Sequence, residues 1–152
     1  MFKYIFFVSL FTLNCFGQNS SNFKTEISNL LESENVFTKS WATCNEQNSY
    51  FSNDTIYLST RLKAYECSEF IRWDFDSKNG FTERKSSYVK GTHATYSINA
   101  TTKNDIYKLK VVEENGKTII RIYKKKTNIK SFIVLNFEPE TEEGIRITLV
   151  RI

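Results

Sequence analysis

From about residue 38 onward, apolar and polar positions alternate with a period of two. In Ile71-Arg72-Trp73-Asp74-Phe75-Asp76 the apolar Ile71, Trp73 and Phe75 share one face and the charged residues the other. Tyr107-Lys108-Leu109-Lys110-Val111 and Ile145-Arg146-Ile147-Thr148-Leu149 repeat the pattern. This period puts successive side chains on opposite faces of a strand, and the runs are rich in Ile, Val, Tyr, Phe and Thr, which pack well on a pleated surface. Before them the period is helical. Phe23, Ile27, Leu30 and Leu31 recur so that one short amphipathic helix is expected over about residues 23–33, with Ser21 or Asn22 placed to accept a backbone N–H of its first turn.

Glycines punctuate the strands at Asn79-Gly80, Lys90-Gly91, Asn115-Gly116 and Glu143-Gly144. Asn-Gly favours the two-residue hairpin whose central residues both need positive φ. Pro139 lies in the acidic stretch Glu138–Glu143, read as a connector where a missing N–H breaks no ladder. Eight or nine strands joined by short turns, with no helical crossover, predict a mainly β domain. The expected architecture is an antiparallel up-and-down meander closed into a barrel, since closure removes exposed sheet edges.

The N-terminus sets the compartment. Met1-Phe2-Lys3 is a short cationic start, Tyr4 to Leu13 is uncharged and mostly apolar, and Cys15-Phe16-Gly17 places small residues around a cut before Gln18. This is the form of a secretory signal peptide over residues 1–17, leaving residues 18–152 as one domain. The apolar run is shorter than the roughly 20 residues a membrane span needs, so no transmembrane segment is expected. Lipoprotein processing at Cys15 is the alternative; Asn14 is larger than the residue that usually precedes an acylated cysteine, which favours simple export to the periplasm, the cell surface or the medium.

Removal of the leader takes Cys15 with it and leaves Cys44 and Cys67 as an even pair. In an oxidising compartment a disulfide between them is expected, against two buried free thiols. A metal site is less favoured, because two cysteines and the lone His93 are too few ligands. Loss of Lys3 lowers the formal net charge from +4 to +3, and the positive residues are interspersed with acids. That balance argues against nucleic acid as a partner.

A short helix ending in Leu30-Leu31, Trp41 in the first strand, an alternating meander and a last strand ending Leu149-Val150-Arg151 together resemble the lipocalin-like (calycin) barrels of exported bacterial proteins. The leader ending Phe-Gly-Gln is similar in composition to those of Bacteroidetes. The resemblance covers roughly residues 25–152. It implies that Trp41 closes one end of the barrel and that Arg151 stacks over it as a cation–π pair. It also implies a small apolar or amphipathic ligand inside the barrel, with Trp73, Phe75, Tyr96 and Tyr107 as the candidate lining; Phe81 and Tyr88 belong to the same series of strand aromatics. Small barrels can instead fill their interiors with such side chains, which would leave an envelope-associated or protein-interaction module.

Catalytic chemistry finds little support in the sequence. A Ser-His-acid arrangement would have to recruit Ser86 or Ser87 to His93 without a nucleophile-elbow glycine. Asp74 to Gly80 begins like a calcium loop, but Lys78 and Lys85 stand where oxygen ligands are required. Glu142 and Glu143 read as solvated acids. Lys124, Lys125, Lys126 and Lys130 form a basic cluster where a phosphate or anionic surface could dock, weighed against charged gatekeepers that flank the strands Ile119–Tyr123 and Phe132–Phe137. No enzyme activity and no cofactor are expected. No protein partner can be named from the sequence.

Overall fold

A computed structural model describes residues 20–33, 39–61, 67–76, 80–89, 92–102, 105–141 and 144–152. The expected signal peptide, with Cys15, lies outside these residues, as do the turn positions Asn79, Lys90 and Gly91 and the acids Glu142 and Glu143.

Helix α1 spans Ser20–Glu32, and β1 follows at Ser40–Cys44. A 3₁₀ turn, Glu46–Asn48, runs into the one-turn helix α2, Ser49–Ser52. Then come β2 (Thr55–Ser59), β3 (Glu69–Phe75), β4 (Phe81–Val89), β5 (Thr92–Asn99), β6 (Tyr107–Glu114), β7 (Lys117–Lys124), β8 (Thr127–Thr141) and β9 (Gly144–Arg151). The nine strands form one sheet, antiparallel at every pairing, in the order β5-β4-β3-β1-β2-β9-β8-β7-β6. The mainly β class and the strand number agree with the periodicity.

Strand order departs from a simple meander in one place. β2 pairs with β9 on its far side, so β3 returns to pair with β1. Ser59 near the end of β2 lies opposite Ala42, and Phe70 near the start of β3 lies opposite Cys44. Cys67, just before β3, stands beside Cys44, with Sγ–Sγ 1.91 Å and Cα–Cα 5.6 Å, at disulfide distance as the even cysteine count predicts.

The sheet curls into a half-barrel. β5 and β6 are its edge strands, and the ends approach at a single antiparallel bridge between Gly80 and Lys108. Asn115 and Gly116, at φ 52° and 70°, make the hairpin that Asn-Gly predicts. The acidic stretch is not a connector: β8 continues through Pro139 to Thr141, and its register slips between Glu138 and Thr141, which is where a residue without an N–H fits a ladder.

Helix α1 packs on β6 and β7 and buries Ile27 and Leu31, while Phe23 sets its ring 6.2 Å from that of Phe137. The concave face of the sheet carries the hydrophobic core. Trp41, Leu58, Ile71, Trp73, Phe81, Leu109, Ile120, Ile122, Phe132 and Leu149 are all buried in one continuous cluster.

Candidate functional site

Two charged residues interrupt this apolar interior. Phe81 and Glu83 alternate onto the inner face of β4, and Lys130, two residues before the buried Phe132, approaches from β8. Glu83 is 0% exposed. A carboxylate so placed must be paired and hydrogen-bonded, because desolvation of an isolated charge is strongly unfavourable. Lys130 meets that need with Nζ at 2.8 and 2.6 Å from the two carboxylate oxygens. Asn99 of β5 donates to Oε2 at 2.5 Å.

Tyr50 completes the cluster. The turn into α2 is made by Gln47 and Asn48 at φ 52° and 63°, and the side-chain oxygen of buried Asn45 accepts the Tyr50 N–H at 2.9 Å. So anchored, Tyr50 projects into the barrel, donates its hydroxyl to Glu83 Oε1 at 2.5 Å and accepts the Trp73 indole N–H at 3.0 Å. Burial first, and then the neighbouring carboxylate of Glu83, pushes the Tyr50 phenol far above its ordinary range. Trp73 in turn packs against Phe81 and Phe132, with ring centroids at 5.4 and 5.3 Å.

Arg151 covers Tyr50 from outside. Its guanidinium stands 4.9 Å from the Tyr50 ring centroid and 5.4 Å from that of Phe132, and it donates to the carbonyls of Tyr50 and Asn53, the latter at 3.2 Å. The arginine thus stacks as the last-strand arginine was expected to, but on Tyr50 and Phe132 in place of Trp41. Strand register gives the reason. The row Ala42–Ser59–Arg146 lies one residue from Trp41 and five from Arg151, on opposite sides. Along the strands that is roughly 20 Å at ~3.3 Å per residue. Trp41 packs edge-on against Phe75 at 5.1 Å.

Of the four expected lining residues, Trp73, Phe75 and Tyr107 are buried. Tyr96 is not: it is 56% exposed, because β5 is an edge strand whose side chains from Ala94 to Ser97 all face solvent. Trp73 and Phe75 both pack against Phe81, with ring centroids at 5.4 and 6.1 Å. Ser86 shares a hydrogen bond with Thr95 at 2.9 Å; the His93 side chain lies outside the described residues. Asp74 and Asp76 are also engaged, the first by Ser40 and Arg72 and the second by the Gly80 N–H. Among the described residues no three His, Cys, Asp or Glu side chains gather as a metal site.

The basic cluster read from the sequence splits. Lys130 points inward to Glu83, and Lys124 pairs with Asp105 at 3.3 Å under the Tyr107 ring. Lys125 and Lys126 remain outside, where Lys108, Lys110, Tyr123 and Ile106 join them around an open depression of about 510 Å³. The sequence reading grouped lysines by proximity along one hairpin, and cross-strand pairing regrouped them.

Tyr50, Glu83 and Asn99 were not among the expected site residues. Lys130 did carry a signal, a charge in phase with Phe132 and Val134, whereas Glu83 alternates with Phe81 but also with Lys85 and Ser87 and does not stand out. No protein-family model, curated protein or solved structure matches the chain.

Proposed function

We propose that this protein is an exported, non-catalytic binding module, lipocalin-like in architecture, that recognises its partner on the outside of a filled barrel. The observation that carries this reading is the interior cluster of Trp73, Tyr50, Glu83 and Lys130. Its polar atoms are paired with one another, its rings are packed against Phe81 and Phe132, and only Lys130, 23% exposed at its side chain, reaches solvent. An acid and a phenol so enclosed have no open position for a reacting atom. They serve to fix the packing of the barrel.

A carrier of apolar ligands needs an enclosed volume of at least about 300 Å³. Four depressions on the described residues are open to solvent, and the one on the lysine face holds about 510 Å³. Export is supported by the Cys44–Cys67 pair and by the leader-like residues 1–17; no helix among the described residues is long and apolar enough to cross a membrane.

Tryptophan fluorescence tests the filled interior. Titration with a long-chain fatty acid and with an anilinonaphthalene sulfonate is expected to leave Trp41 and Trp73 emission unchanged at stoichiometric concentrations. Saturable quenching at one ligand per chain, or a lipid retained in native mass spectrometry, would overturn the reading in favour of a carrier.

A further inference from the structure

We propose that the outer face of the β6–β7 hairpin and the β7–β8 turn is a docking surface for an anionic phospholipid bilayer, an assignment that rests on the reading that recognition is external. Lys108 and Lys110 project from β6 on the face that carries Tyr123 of β7, and Lys125 and Lys126 form the tip of the adjoining turn. Among the described residues none of these four lysines pairs with a carboxylate, whereas Arg121 pairs with Glu114 at 2.6 Å, Lys124 with Asp105 and Lys130 with Glu83. Lys108, Lys110, Lys125 and Lys126 therefore bring four positive charges free of carboxylates around one depression.

Apolar side chains stand among the lysines. Ile106 is 43% exposed and is tied to the tip by the Lys125 N–H, which donates to its carbonyl at 2.8 Å. Ile129, on the same hairpin, is 39% exposed. A small soluble anion would gain nothing from these side chains; a bilayer interface takes both, phosphates on the ammonium groups and acyl boundary on the isoleucines.

The backbone of the tip adds an independent observation. Lys124 pairs with Thr127, so Lys125 and Lys126 are the two central residues of the turn, and Lys125 sits at φ 55°. L-residues other than glycine and asparagine adopt this region reluctantly. The neighbouring two-residue hairpin uses the favoured Asn115-Gly116 at comparable φ. Positive φ is thus carried by asparagine and glycine in one turn and by a lysine in the other. Gatekeeping of the β6 edge accounts for Lys108 and Lys110, but it does not require a lysine at a positive φ.

Flotation with vesicles tests the assignment. The full exported chain is expected to bind vesicles of phosphatidylcholine mixed with phosphatidylglycerol, to ignore phosphatidylcholine alone, and to be released by salt near about 0.5 M. Lys108→Gln, Lys110→Gln and Lys126→Gln should each weaken partitioning about fivefold, and Lys24→Gln on α1 should not. Ile106→Ser with Ile129→Ser should leave low-salt binding in place and lower the salt needed for release. Lys125→Gly should weaken binding as well while melting at or above the parent temperature, which separates loss of docking from loss of fold.

Binding that is equal on both vesicle types, or indifferent to the lysines, overturns the proposal. So does competition by millimolar inorganic phosphate, which would assign the site to a small anion, or capture by a soluble sulfated polysaccharide without vesicle binding. If lipid instead elutes with the protein after the vesicles are removed, it is the filled interior that fails.

Discussion

Lys130 crosses from β8 to Glu83 of β4 and sets its ammonium between the two carboxylate oxygens, at 2.8 and 2.6 Å, with the carboxylate fully buried and the lysine partly in water. That asymmetry decides how the pair responds to substitution.

Lys130→Met leaves an uncompensated buried carboxylate and is expected to destabilise by about 3–5 kcal/mol. Glu83→Gln should be milder, because the lysine left behind can turn to solvent. The double variant should lose less than the sum of the singles, with a coupling of about 0.5–3 kcal/mol. Urea melts of the four proteins measure it, and additive losses would contradict a direct pair.

Tyr50 makes stability fall in alkali. Its phenol is held above the ordinary range by burial and by Glu83, so the folded state keeps a proton that the unfolded chain releases near pH ~10. The unfolded state then binds fewer protons, and stability drops as pH rises past about 10, by up to ~1.4 kcal/mol per pH unit from this group, while below that pH the contribution is constant. Denaturant melts between pH 9 and 11 should show the slope. Tyr50→Phe should flatten it, at the expense of the hydrogen bonds to Trp73 and Glu83.

Arg151 is expected to act through Tyr50 and not through Trp41. Arg151→Ala should destabilise by about 1–2 kcal/mol, and Arg151→Lys should recover only part of that, since an ammonium cannot both stack and donate in a plane. In double-mutant cycles Arg151→Ala with Trp41→Phe should be additive within about 0.5 kcal/mol, as distant sites are. A coupling larger than this would restore the tryptophan as the arginine's partner.

The Cys44–Cys67 link closes a loop with a sequence separation of 23 and should contribute about 3 kcal/mol through the entropy it removes from the unfolded chain. Mass spectrometry of the exported protein under alkylation is expected to find both thiols protected until reduction. Two alkylatable thiols before reductant would refute the link. The pinned segment is also braced by Glu46, whose carboxylate accepts the Ser68 hydroxyl and N–H and is thereby held below the usual carboxylate range.

Much of the fold was legible because its signals are local. Period-two runs announced the strands, Asn115-Gly116 announced its hairpin, and Ile27 and Leu31 announced the buried face of α1. Edge position was not legible: Tyr96 has the alternation of an interior strand and lies on β5, which pairs with β4 alone. Nor was α2, a single turn initiated by two residues at positive φ, which carries no periodicity of its own. The inner cluster stood halfway. Lys130 broke an apolar face in a way that alternation exposes, but Glu83 did not, and with 47 residues between them nothing local says that the two faces meet.

The sequence by itself determined the β class, the helix, the Asn115-Gly116 hairpin and the even cysteine pair, because each follows from torsional preference, side-chain period or counting within a few residues. Only the tertiary structure decided that β2 slips between β1 and β9, that Arg151 stacks on Tyr50, and that Lys130 turns inward while Lys125 and Lys126 stay outside with Lys108 and Lys110. Those outcomes depend on which strands become neighbours and in what register. They are set by the joint burial of residues far apart in the chain, for which no single segment carries the instruction.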